Sequence, residues 1–167
     1  MRRTLATAAL SAFVILAGGL AAAQHVGHQG HQAKGGYQGH VAPGSDTREF
    51  VKFPPEHVEH TLANMRDHLA AIWEINAALA DGKYDVAAQV AENRLGMSSL
   101  RSHGAHEVSK FMPQGMQDAG TSMHRSASRF ALEAQNSGVT GDLKPALSAL
   151  GQTLSACVGC HAGYRLK

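Results

Sequence analysis

The chain has 167 residues, with 15 Lys+Arg against 13 Asp+Glu, 11 His and 2 Cys. That length suits one domain, and aromatics at 5% leave packing to alanine and leucine, which favours helices over sheets. A formal charge of +2 is too weak to argue for nucleic acid, and two cysteines are too few for a disulfide framework.

Arg2 and Arg3 precede a mostly apolar, uncharged stretch from Leu5 to Leu20, and Ala21-Ala22-Ala23 supplies small residues for cleavage. This pattern reads as a secretory signal peptide over residues 1–23, cut after Ala23. The apolar run falls short of the ~20 residues that span a bilayer, so no stable membrane span is expected after cleavage. Cleavage removes two of the 15 basic residues and so balances the 13 acidic ones. The mature protein is expected outside the cytoplasm, in the periplasm of a Gram-negative cell.

Residues 24–52 are rich in Gly, Gln and His, with His25, His28, His31 and His40. So few aliphatic residues cannot offset the entropy of ordering, and the segment reads as a flexible linker. Such tracts can bind divalent metals, but the loose spacing favours a tether with incidental histidines.

Residues 53–167 read as a helical domain. Pro54 and Pro55 open a first helix, with Val58, Leu62, Met65, Leu69, Ile72 and Leu79 at spacings of three and four until Asp81-Gly82. A second starts near Asp85, carries Val86, Val90, Met97 and Leu100, weakens at His103-Gly104 and runs raggedly toward Lys110. His103 and His106 read as an exposed turn, and His57 and His60 as solvated. Pro113 opens a third, with Met116, Met123, Ala127, Phe130 and Ala134 on one side, stopping at Asn136-Ser137-Gly138. His124 and Arg125 read as surface. A fourth begins near Gly141-Asp142 and shows Leu143, Leu147, Leu150, Leu154, Cys157, His161 and Tyr164. No long period-two stretch competes. The expected fold is all-α, an antiparallel four-helix bundle.

The sharpest signal is Cys157-Val158-Gly159-Cys160-His161, the Cys-X-X-Cys-His pattern of covalent c-type haem attachment. Each thiol adds to one vinyl group of the porphyrin, and the adjacent histidine reaches the iron from one face. On a helix these residues stand at i, i+3 and i+4, on one stripe. A redox dithiol would sit at the start of a helix after a strand. Zinc would need further ligands, which His103 and His106 could supply. Secretion, helical register and the adjacent histidine favour haem.

The run from Cys157 to Arg165 resembles Cys-X-X-Cys-His-X-X-Tyr-Arg of the class II c-type cytochromes, the cytochrome c prime group and its low-spin relatives. The likeness is specific at the C-terminus and architectural over the rest of residues 54–167. It implies a four-helix bundle with one covalent haem c near the C-terminus, held by Cys157 and Cys160. It also implies His161 as proximal iron ligand, Arg165 near the solvent-facing side of the haem and Tyr164 as a packing residue.

In that family the first helix covers the distal face of the haem. Low-spin members place a methionine there and carry electrons; high-spin members place an apolar residue and bind gases such as nitric oxide. Met65 on the first helix is the expected distal ligand, since a thioether opposite histidine raises the potential. His68, one turn on, is the competing ligand, and an apolar group such as Leu69 would leave the iron five-coordinate. Family members often carry a propionate-binding arginine on this helix. Arg66 directly follows Met65 and points about 100° away, which puts that partner and the register in doubt. Met112, Met116 and Met123 are expected to line the pocket or core, and Arg129 is within the third helix as another propionate candidate.

The expected function is therefore a periplasmic mono-haem electron carrier, not an enzyme, exchanging single electrons with periplasmic redox partner proteins. The alternative is a five-coordinate gas-binding haem protein. The resemblance further implies a homodimer formed through the first two helices.

Overall fold

A computed structural model describes Gly44 and residues 46–166. The expected signal peptide and the histidines His25, His28, His31 and His40 lie outside these residues. All described residues belong to one compact unit, 37–167.

The described chain is all-α apart from one two-residue strand pair. Helix α1 spans Pro55–Ala80, α2 Tyr84–Arg94, α3 Ala105–Val108, α4 Gln114–Thr140 and α5 Lys144–Gly163. The strands β1 (Glu49–Phe50) and β2 (Tyr164–Arg165) pair in parallel, Glu49 opposite Tyr164 and Phe50 opposite Arg165. The end of the expected linker is thus held against the C-terminus, and Val51 within it is buried. Its amide donates to the Arg165 carbonyl at 2.9 Å. The most extensive packing joins α4 to α5, α2 to α4 and α1 to α2.

Helix α1 starts at Pro55, where a missing N–H costs nothing, and ends at Gly82, whose φ of +69° only glycine adopts without strain. Helix α2 is shorter than its apolar spacing predicts. The amides of Leu95 and Gly96 both turn back to the Ala91 carbonyl, at 2.9 and 2.8 Å. A 3-10 turn over Met97–Ser99 follows, fixed by the Ser99 hydroxyl donating to the Gly96 carbonyl at 2.7 Å. Helix α4 runs through Asn136-Ser137-Gly138 instead of stopping there. The Ser137 hydroxyl shares its proton between the Glu133 and Asp142 carbonyls, at 2.9 and 2.8 Å, and Tyr84 packs over Gly138. The helix ends at Gly141, with φ of +74°. Asp142 then accepts the Lys144 amide at 3.0 Å to start α5.

The main core is built chiefly from alanine. Ala71, Ile75 and Ala78 of α1 meet Ala87, Ala88 and Ala91 of α2, Ala127, Phe130 and Ala134 of α4, and Ala146, Ala149 and Leu150 of α5. On α4 the expected Met116, Met123, Ala127, Phe130 and Ala134 are buried, and so are His124, Ala131 and Ser137. On α5 Leu150 is buried as expected, but its buried neighbours are Ala146, Ala149 and Thr153, whereas Leu147 and Leu154 are exposed. On α1 the expected Leu69 is 73% exposed, beside Trp73 at 70%. Small residues let helix axes approach closely, so the larger leucines fall to the rim. A second cluster of Val51, Phe53, Val108 and Met116 closes the other end, where Tyr164 and Cys160 pack against it.

Candidate functional site

Between these two clusters lies a cavity of about 450 Å³, a size suited to an organic cofactor. Its wall brings together Thr61, Leu62, Met65 and His68 of α1 with Cys160 and His161 of α5, and Tyr164 and Arg165 beyond it. Met112, Met116 and Met123 line it as well, as expected. Cys157 does not: its half-buried side chain packs against the alanine-rich core. Both cysteines are free, and burial pushes both thiols above their ordinary pKa, so they stand as neutral thiols.

Local structure sets several of these positions. Tyr164 lies over Gly115 of α4, where any Cβ would collide with its hydroxyl. Arg165 stacks on Phe50, its guanidinium carbon 5.1 Å from the ring centre, with Nε 3.5 Å from an Asp46 carboxylate oxygen. Asp46 itself is held down to about 2, chiefly by its hydrogen bonds with Arg48. Arg94 at the end of α2 reaches Asp67 at 2.6 Å and Glu74 at 2.7 Å and so fixes α2 on α1 beside His68.

Three histidines of the cavity wall form a cluster that the sequence did not announce. His103, expected in an exposed turn, is 9% exposed, and His124, expected at the surface, is 8% exposed. Their rings lie 5.5 Å apart; the His68 ring lies 4.8 Å from His103 and 6.2 Å from His124. Helix α4 buries His124 because position 124 adjoins the apolar stripe at 123 and 127. Its Nδ1 is 2.7 Å from the Leu95 carbonyl, which can only accept, so Nδ1 carries the proton. The Ser99 hydroxyl spends its proton on Gly96, so the His103 Nδ1, 3.3 Å away, is the donor there. His60 is not simply solvated: its Nε2 donates to the His103 carbonyl at 2.9 Å, and Asn64 donates to the same oxygen at 3.1 Å. Gly104, at φ +63°, makes this turn. Desolvation leads the causes that lower the pKa of all three, His68 to about 4, so the cluster is neutral at neutral pH. His106 remains exposed.

Among the described residues, no group of three or more His, Cys, Asp or Glu side chains is arranged to hold a metal ion between them. No described helix is long and apolar enough to cross a membrane. The cavity nevertheless has unmet polar demand. The buried side-chain atoms without a hydrogen-bond partner among the described residues are Thr61 Oγ1, His68 Nε2 and Arg165 Nε, the last within an ion pair with Asp46, and all three residues line it. Native interiors rarely leave such atoms unmatched. Compared with protein-family models, curated proteins and solved structures, the chain matches none of them.

Proposed function

We propose that this chain is a mono-haem c-type cytochrome of the class II kind, acting in the periplasm as a one-electron carrier. Four longer helices, α1, α2, α4 and α5, form its antiparallel bundle. One observation carries the reading. Cys160 and His161 of the Cys-X-X-Cys-His run line an apolar cavity whose wall also holds the expected distal candidates, Met65 and His68.

The residues present fit a haem. The mostly apolar wall suits a porphyrin face. Arg165 and Thr61 would offer donors for its carboxylates, and His161 and an α1 donor would supply nitrogen or sulfur for the iron. Attachment through Cys160 uses a thiol already at the wall. Attachment through Cys157 requires that side chain to turn from the core toward the cavity. When bound, the haem supplies a reversible one-electron couple. Helices packed on an alanine core would frame it on a mostly apolar wall, which would limit reorganisation on electron exchange. Arg165, stacked on Phe50 and paired with Asp46, would be held in place to meet such a carboxylate.

Two α1 donors on the cavity wall favour a six-coordinate iron over the open, gas-binding alternative. The protein secreted through a haem-attaching host should keep its haem after denaturation and show a low-spin spectrum in both oxidation states. A high-spin ferrous spectrum that changes fully with carbon monoxide would replace the carrier reading by the gas-binding one. The exposed Leu69, Trp73 and Val86 support pairing through the first two helices or docking of a redox partner there. Trp73→Ser with Leu69→Ser should lower the mass seen in sedimentation if two copies pair.

A further inference from the structure

We infer that His68, through Nε2, is the sixth iron ligand, in place of the methionine expected at position 65. The inference rests on the haem reading above and decides what that reading leaves open.

Met65 and His68 lie three residues apart on α1 and both line the cavity. Their needs differ. A thioether is a weak acceptor that packs well uncoordinated, so Met65 sits in an apolar wall without loss. An imidazole nitrogen buried without a partner is costly, and His68 Nε2 is such an atom. A ferric or ferrous ion on that nitrogen removes the deficit.

The neighbours of His68 also suit a ligand. His103 and His124 pack around its ring at 4.8 and 6.2 Å, the second edge-on, and so restrict its rotation. Each is anchored through Nδ1, His124 on the Leu95 carbonyl and His103 on Ser99. They are positioning residues; neither has a buried nitrogen left without a partner. Arg94 bonds the Asp67 carboxylate and its backbone carbonyl, at 2.6 and 3.1 Å, and fixes the backbone next to His68. Coordination also needs no group of three ligands, since one imidazole per face is sufficient.

The test uses the secreted holoprotein and its His68→Ala, His68→Met and Met65→Leu variants, read by optical and electron paramagnetic resonance spectra. The wild type should be low-spin without a methionine-to-iron charge-transfer band, and Met65→Leu should leave it unchanged. His68→Ala should turn high-spin and return to low-spin on adding imidazole. His68→Met should gain the charge-transfer band and a higher midpoint potential. A wild-type methionine band that Met65→Leu abolishes overturns the inference while leaving the haem reading intact, as does a high-spin wild type. A secreted chain with no covalent haem overturns both.

Discussion

The two ends of this molecule are built on different terms. The closed half is alanine against alanine around Phe130 and Ile75, with no polar side chain left over. The other half, around the cavity, is lined by methionines and histidines and contains the unmatched buried polar atoms. Alanine cores fix the distance between helices and allow no volume change. Methionine walls tolerate change in shape. The contrast separates a part of the chain that holds the helices together from a part that leaves a cavity between them. The difference can be measured with substitutions at matched depth.

The largest effect should come from the closed half. Phe130 is 1% exposed among close-packed alanines, and Phe130→Ala should cost about 3–5 kcal/mol in urea unfolding. A cost below 1 kcal/mol, on the order of a surface change, would mean that this half is not the rigid one. Overpacking comes next. Ala91 is fully buried where α2 meets the core, so Ala91→Leu should cost about 1–3 kcal/mol. Full stability in Ala91→Leu would place free volume where the contrast denies it.

These two positions also show what was legible in the sequence. The α4 stripe was readable because Met116, Met123, Phe130 and the intervening alanines agree in period and in size. On α5 the leucines suggested one stripe, yet the alanines at 146 and 149 are inside and Leu147 and Leu154 outside. Hydrophobicity alone ranks leucine above alanine, but close helix approach reverses their places. The spacing of the Cys-X-X-Cys-His run singles out Cys160 and His161, and the period of α1 singles out Met65 and His68; all four line the cavity, whereas Cys157 packs on the core. His103 and His124 were misread as surface. A histidine carries no sign of burial until the chain path supplies carbonyl and hydroxyl partners, here Leu95 and Ser99 on the irregular segment after α2. The sequence pattern of that segment predicts a ragged helix, which does not place those partners.

The cavity half should reveal itself by acid. For the haem-free chain, His68 has a folded pKa of about 4 against an ordinary 6.5, chiefly from desolvation, with His103 and His124 lowered in the same direction. The unfolded chain therefore binds more protons between those values. The stabilisation is complete above about pH 6.5 and is lost as pH falls through the folded pKa near 4. Each pKa unit is worth about 1.4 kcal/mol, so after a discount for partial exposure His68 accounts for on the order of 2 kcal/mol. Asp67 and Arg94 face His68, and His60 adjoins His103, so the urea midpoint should be followed at fixed ionic strength. His68→Leu should flatten the slope between pH 6.5 and 4; an unchanged slope would remove His68 as its source.

The smallest expected effect is the most discriminating for the contrast. Met116 is buried at the cavity wall in the second cluster, at a depth like that of Leu79 in the main core. Met116→Leu keeps the volume and removes only the flexible thioether, so it should change stability by less than about 1.5 kcal/mol. Depth alone would make Met116 and Leu79 equally sensitive to a change of shape. The contrast says otherwise: Leu79→Met enters a wall of alanines with no slack, while Met116→Leu faces space. Urea unfolding of the two reciprocal variants decides it. If Met116→Leu is the more destabilising of the pair, the cavity half is as tightly specified as the alanine half, and its methionines are then core rather than lining.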